Sequence, residues 1–100
     1  MEITTNIIGE GVRTSLAGSM YVEDAAILRE ELIKLMEAGY SRFVIDLRKV
    51  DYIDSSGLGV LVAIQKRARQ KNGGVIIAGA TGMVKEVFEL TRLTKVFEMQ

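Results

Sequence analysis

Two short apolar runs, Phe43-Val44-Ile45-Asp46-Leu47 and Val75-Ile76-Ile77-Ala78, constrain this chain more than anything else in it. Each is too short for a helix and apolar enough for a strand covered on both faces. Between them a helical stretch opens after Asp54 and runs to about Lys71, where Asn72-Gly73-Gly74 ends it. A strand, a helix and a strand in that order call for a crossover, which sets the two strands parallel.

The rest of the chain extends this pattern. From Met1 to Ile8, Ile3, Thr5 and Ile7 alternate with Glu2, Thr4 and Asn6, the period of a half-exposed strand. Gly9-Glu10-Gly11 is a turn signal, and Val12, Thr14 and Leu16 alternate again, so the two strands form a hairpin. Ala17 to Glu23 has no period and reads as a loop. Asp24 is placed to cap a helix with Ala25, Leu28, Leu32, Leu35 and Met36 on its apolar face, and Gly39 stops it. In the helix after Asp54, Leu58, Leu61 and Val62 should face the sheet, with Val60 and Ile64 on another side. Thr81 caps a third helix carrying Val84, Val87, Phe88 and Leu90, and Leu93, Val96 and Phe97 lead into a last strand ending at Gln100. The expected fold is one α/β domain over residues 1–100. Its mixed, mostly parallel sheet has about five strands, one or two of them antiparallel at an edge, with three or four helices.

Composition narrows the function. One hundred residues, 48% of them apolar, suffice for a single core. There is no cysteine and no histidine. Disulfides, thiolate metal sites and the Ser-His-Asp and Cys-His catalytic arrangements are therefore excluded within the chain. Thirteen basic and thirteen acidic residues balance, which argues against a nucleic-acid surface. The one basic cluster, Lys66, Arg67, Arg69 and Lys71, sits at a helix C-terminus, where cations are favoured anyway. No apolar run reaches the ~20 residues of a membrane span, and the N-terminus lacks a signal-peptide pattern. A cytoplasmic domain without cofactor or metal is expected.

Chemistry in such sheets collects at the carboxyl ends of strands, in the loops Ala17 to Glu23, Arg48 to Ser56 and Gly79 to Gly82. The middle loop runs into Asp54-Ser55-Ser56-Gly57-Leu58-Gly59. Asp54 and the serines suit helix capping. Gly57 and Gly59 do not suit a helix, since each costs about 1 kcal/mol relative to alanine; close approach of a strand, ligand or partner would account for them. No phosphate-binding glycine motif is present. Ser55 has no histidine or nearby lysine to activate it, so it is not read as a nucleophile, and the chain is not read as an enzyme. Asp46, Asp51 and Asp54 read as capping residues rather than magnesium ligands. An exposed serine at a helix N-terminus is well placed to carry a phosphate, because free N–H groups and the helix dipole stabilise the charge. Met20-Tyr21-Val22 is an apolar run in a predicted loop, suited either to the core or to an interface beside Ser55.

Phe43 to Leu47, Val50, and Tyr52-Ile53-Asp54-Ser55-Ser56-Gly57-Leu58-Gly59 together resemble the signature of the anti-sigma-factor antagonists, bacterial members of the STAS domain family. The likeness extends to Gly18, Gly73-Gly74, and Val84-Lys85 through Phe88, Leu90, Leu93 and Phe97, nearly the whole chain. The resemblance implies a switch protein that binds an anti-sigma factor with serine kinase activity and so releases a sigma factor. It implies that phosphorylation of Ser55, with Ser56 the second candidate, ends that binding, and that a serine phosphatase restores it. Met20, Tyr21, Val22, Asp54, Ser55, Ser56, Gly57, Leu58 and Gly59 would form the partner surface. Tyr21 stands where many members carry an acidic residue. Gln100 closes the sequence without the C-terminal helix usual in the family, which would leave an apolar surface suited to a homodimer. The alternative is a STAS subunit or scaffold of a transporter or signalling complex that works without phosphorylation.

Overall fold

A computed structural model describes residues Met1 to Gln100. The chain opens with a hairpin of β1 (Glu2–Ile8) and β2 (Gly11–Met20), paired antiparallel, with Ile8 opposite Gly11 so that the turn is Gly9-Glu10. After α1 (Val22–Glu37), β3 (Arg42–Ile53) lies parallel to β2. Then follow α2 (Ser55–Gln70), β4 (Gly74–Ala78), α3 (Gly82–Leu90), a 3-10 turn at Leu93–Lys95 and the short β5 (Glu98–Met99). The sheet order is β1-β2-β3-β4-β5, and β1 alone is antiparallel.

Strand order equal to chain order has a consequence for the layers. Three right-handed crossovers travelling the same way across a sheet put α1, α2 and α3 on one face. Val12, Leu16, Phe43, Ile45, Val75 and Ile77 point into that layer, each at most 2% exposed. They join the helical Leu28, Leu32, Leu61, Ile64, Val84 and Phe88 in one core of twenty residues. The alternate residues Arg13, Ser15, Val44 and Ile76 keep partial exposure on the other face. The central runs are thus covered by helices on one side only, a correction to the expectation from their apolar character.

Both strand ends that lead to the carboxyl edge are longer than their patterns suggest. The expected loop from Ala17 to Glu23 is mostly strand and helix. Strand β2 continues to Met20 with its period of two intact, Gly18 leaving one inward position without a side chain; the register shifts at Ser15/Ala17 and Gly18/Ser19 place the extra residues on β3. Gly18 takes φ +107°, open to glycine at little cost. Helix α1 begins two residues before Asp24, with Tyr21 as N-cap. Asp24 acts from the third helical position, its carboxylate accepting from the Tyr21 N–H at 2.9 Å. Strand β3 likewise reaches Ile53, its buried residues Leu47, Val50 and Ile53 now three apart. On α2 the buried stripe is Gly57, Leu61, Ile64, Gln65 and Ala68. Ile64, expected on another side but packed within the molecule, is buried, while Leu58 and Val62, expected to face the sheet, are only half-buried. Leu90 is 77% exposed: α3 is short and buries only Val84 and Phe88.

Candidate functional site

The parallel pairing of β2 and β3 ends at Met20 opposite Ile53. One backbone bond then ties the two strand ends to the start of α2, the Asp54 N–H donating to the Met20 carbonyl at 3.2 Å. Asp54 is extended (φ −90°, ψ 179°) and caps the helix, its carboxylate accepting from the Gly57 N–H at 3.0 Å. Its carbonyl accepts the first helical bond, from Leu58 N–H at 3.1 Å. Ser55 is the first helical residue and exposed; Ser56 is half-buried. The first turn of α2 carries no acidic residue. By position, the N–H groups of Ser55 and Ser56 have no acceptor within the helix, so an anion on the Ser55 oxygen would meet free donors and the positive end of the helix dipole.

The two glycines of this turn differ. A Cβ on Gly57 would lie 2.5 Å from the Met20 sulfur and 2.8 Å from Ile53 Cγ1, whereas one on Gly59 would meet nothing within 4 Å. The close approach that excludes a side chain at Gly57 is thus intramolecular: it lets the helix start settle on the ends of β2 and β3. Met20 is fully buried beneath it. Met20 and Gly57 accordingly leave the expected partner surface and become its support, because their side-chain positions face the core. Tyr21 and Val22, 52% and 57% exposed, stand on the surface of the same edge with Asp54, Ser55 and Gly59, and Leu58 is half-buried beside them.

Two further features were not singled out by sequence reasoning. Tyr52, at the end of β3, brings its ring to 5.3 Å from that of Tyr21, tilted by 36°. Ser19 donates its hydroxyl to the Asp51 carboxylate at 2.7 Å, joining the same two strand ends. Neither pair is visible in the sequence, where the partners lie about thirty residues apart.

The three aspartates weighed as metal ligands have separate engagements. Asp51 takes Ser19 and Asp54 takes Gly57. Asp46 lies on the open face of the sheet, 4% exposed, gripped by Arg48 through its backbone N–H at 3.0 Å and its guanidinium at 2.9 Å, and by Arg13 at 2.9 Å. Burial pushes the Asp46 carboxyl up, but the hydrogen bonds from Arg48 and then Arg13 outweigh it and lower its pKa to about 2. No three acidic side chains converge in a way that would hold a metal ion. No helix is long and apolar enough to cross a membrane.

Comparison with known proteins gives a consistent result. The STAS domain family profile matches residues 2–100. A Bordetella bronchiseptica protein described as the anti-sigma factor antagonist BtrV is 32% identical over 97 residues, 97% of this chain and 84% of that protein. The anti-sigma-B factor antagonist of Bacillus subtilis is 31% identical over 88 residues, 88% of this chain and 80% of its own. Among solved structures, one from Thermotoga maritima described as an anti-sigma factor antagonist superposes with a TM-score of 0.91 at 23% identity, covering 97% of this chain and 84% of that one.

Proposed function

The chain belongs to the STAS domain family, and from that premise we propose that it is a partner-binding switch controlled by phosphorylation of Ser55. In its unphosphorylated form it binds an anti-sigma factor that is also a serine kinase, and a sigma factor is thereby released. Phosphorylation of Ser55 by that kinase ends the binding, and a serine phosphatase restores it. The protein performs no catalysis itself. The names of the relatives at 31% and 32% identity support the anti-sigma partner.

The observation that carries the reading is the state of Ser55: an exposed hydroxyl on the first residue of a helix whose cap is already in place. A phosphate there adds a charge of about −1.5 to −2, next to Asp54 in the sequence. Because Asp54 and Gly57 already close the cap at 3.0 Å, the added group changes the surface and leaves the fold alone. A dianion buried in an interface built around a neutral hydroxyl must give up its hydration, and a penalty of about 3 kcal/mol is roughly a hundredfold in affinity. Ser56 is half-buried, which puts its hydroxyl second in reach of a kinase.

Incubation with a cognate anti-sigma kinase and labelled ATP tests the assignment. Label is expected on the native chain and on Ser56→Ala, and to vanish on Ser55→Ala. Full labelling of Ser55→Ala would overturn it.

A further inference from the structure

We propose that the Tyr21–Tyr52 pair is the seat for an arginine side chain of the binding partner. The inference rests on the reading of this edge as the partner-facing one and names the chemistry of the group it receives. The two rings lie 5.3 Å apart at a 36° tilt, and they remain 52% and 40% exposed. They are aromatic surface presented to solvent rather than core. Both are held in place from behind. The Tyr21 backbone N–H is fixed to Asp24, and Tyr52 is paired with Ser19 in the sheet.

The charge around the rings decides what they fit. Residues 19–24 and 50–57, the two segments that frame the pair, contain Glu23, Asp24, Asp51 and Asp54 and neither a lysine nor an arginine. Asp24 lies 3.7 Å from the Met1 ammonium. Asp51 and Asp54 are bonded only by a hydroxyl and an amide, which leaves their charge uncompensated, and Glu23 is exposed without an ion pair. Of the next cations back along β3, Arg48 is turned to Asp46 and Lys49 is exposed without an ion pair, so that four carboxylates stand against Lys49 and the Met1 ammonium. In a protein whose charges balance overall, this edge is locally acidic.

An aromatic pair in a stretch with an excess of carboxylates favours a cation that can also stack. A guanidinium does both: it lies flat on a ring face and points its N–H donors outward to carboxylates in its plane. An ammonium offers the charge without the plane. Arginine and tyrosine are also the residues that most often dominate interface energies.

The test is an NMR titration of the full chain with the capped peptide Gly-Ser-Arg-Ser-Gly and with its citrulline and lysine counterparts. Citrulline keeps the shape of arginine and removes the charge. The arginine peptide should shift the Tyr21 and Tyr52 ring resonances saturably, with a dissociation constant on the order of millimolar. The lysine peptide should bind more weakly, and the citrulline peptide should leave the rings unmoved. Replacing both tyrosines by leucine should weaken arginine binding about fivefold, and replacing both by phenylalanine should change it less than about twofold. Because both positions are exposed, an unchanged amide spectrum verifies the fold of each variant. Equal binding of the citrulline peptide, undiminished binding to the leucine variant, or no saturable shift would each overturn the proposal. No kinase enters the titration, so the outcome is separate from whether Ser55 accepts label.

Discussion

Asp46 and Asp54 stand eight residues apart, one inside β3 and one just past its end, and they do opposite work. Asp46 is buried on the open sheet face with both oxygens engaged, one by Arg48 and the other by Arg48 and Arg13. Asp54 is half-exposed and makes one side-chain bond, to the Gly57 amide. The first carboxylate joins β2 and β3 through charge. The second completes a helix end and leaves its charge at the surface, beside the hydroxyl that we propose is modified. A chain with one structural acid inside a strand and one surface acid just past its end can change charge at the edge without loosening the sheet. Substitutions inside β3 and just past its end test this division.

The largest effect is expected at Asp46. Asp46→Ala removes the acceptor of every one of those bonds and leaves two guanidinium groups at a site built for an anion. A loss of about 2–3 kcal/mol in urea unfolding is expected, given that hydrogen bonds to charged groups are worth about 1.5–3 kcal/mol each and that the arginines can turn to solvent. Phosphorylation of Ser55 in the folded variant should be unchanged. A shift below about 0.5 kcal/mol would show that Asp46 does not hold the sheet.

The pH dependence follows from the same group. Its folded pKa is lowered from 3.8 to about 2, so its ionised form favours the folded state. That contribution is complete above the unfolded value and disappears as pH falls from about 4 through 2. Its size is about 2 kcal/mol at 1.36 kcal/mol per unit. Unfolding measured at pH 5 and pH 2 should show this loss in the native chain and not in Asp46→Ala. Equal losses in both would place the acid sensitivity elsewhere.

The contrast also shows how far a sequence can be read. Helix α1 and the hairpin were legible because their apolar residues keep one period, and α2 because its cap and its Asn72-Gly73-Gly74 stop are local signals, although its buried face was not. The ends of β2 and β3 were not, because Gly18 leaves an inward position of β2 without a side chain and the extra residues that β3 carries opposite Ser15–Ala17 and Gly18–Ser19 set Leu47, Val50 and Ile53 three apart. That Asp54 opens a helix could be read from Asp-Ser-Ser alone, since capping is local. The engagement of Asp46 could not, since Arg13 lies 33 residues away. Gln65 was missed for the same reason. It looks like a surface residue of α2, yet it is buried, accepting from the Val75 N–H and donating to the Val96 carbonyl, both at 2.7 Å. Long-range polar pairs leave no periodic trace.

The two glycines of α2 sharpen the comparison on the Asp54 side. Gly57→Ala sets a methyl against Met20 and Ile53, and overpacking of this kind costs about 1–3 kcal/mol. The gain in helix propensity returns about 1 kcal/mol, which leaves a net loss of about 1 kcal/mol. Gly59→Ala meets nothing and should raise stability by up to about 1 kcal/mol for the same propensity reason. Thermal unfolding should therefore move in opposite directions for two identical substitutions two residues apart. Movement in the same direction would mean that the helix start does not rest on Met20.

The smallest stability effect is expected at the surface acid, Asp54. Asparagine caps a helix about as well as aspartate, so Asp54→Asn keeps an acceptor for the Gly57 amide and should change unfolding by no more than about 0.5 kcal/mol. It removes one negative charge from the edge that carries Ser55, Tyr21 and Tyr52. Binding of the arginine peptide should weaken, and the difference from the native chain should shrink as salt is raised, because exposed charges are screened within ~10 Å at 0.1 M. A large loss of stability with unchanged peptide binding would make Asp54 a second structural acid and erase the distinction from Asp46. Small cost and altered binding are what a surface acid predicts: its hydrogen bond can be replaced by any good cap, its charge cannot.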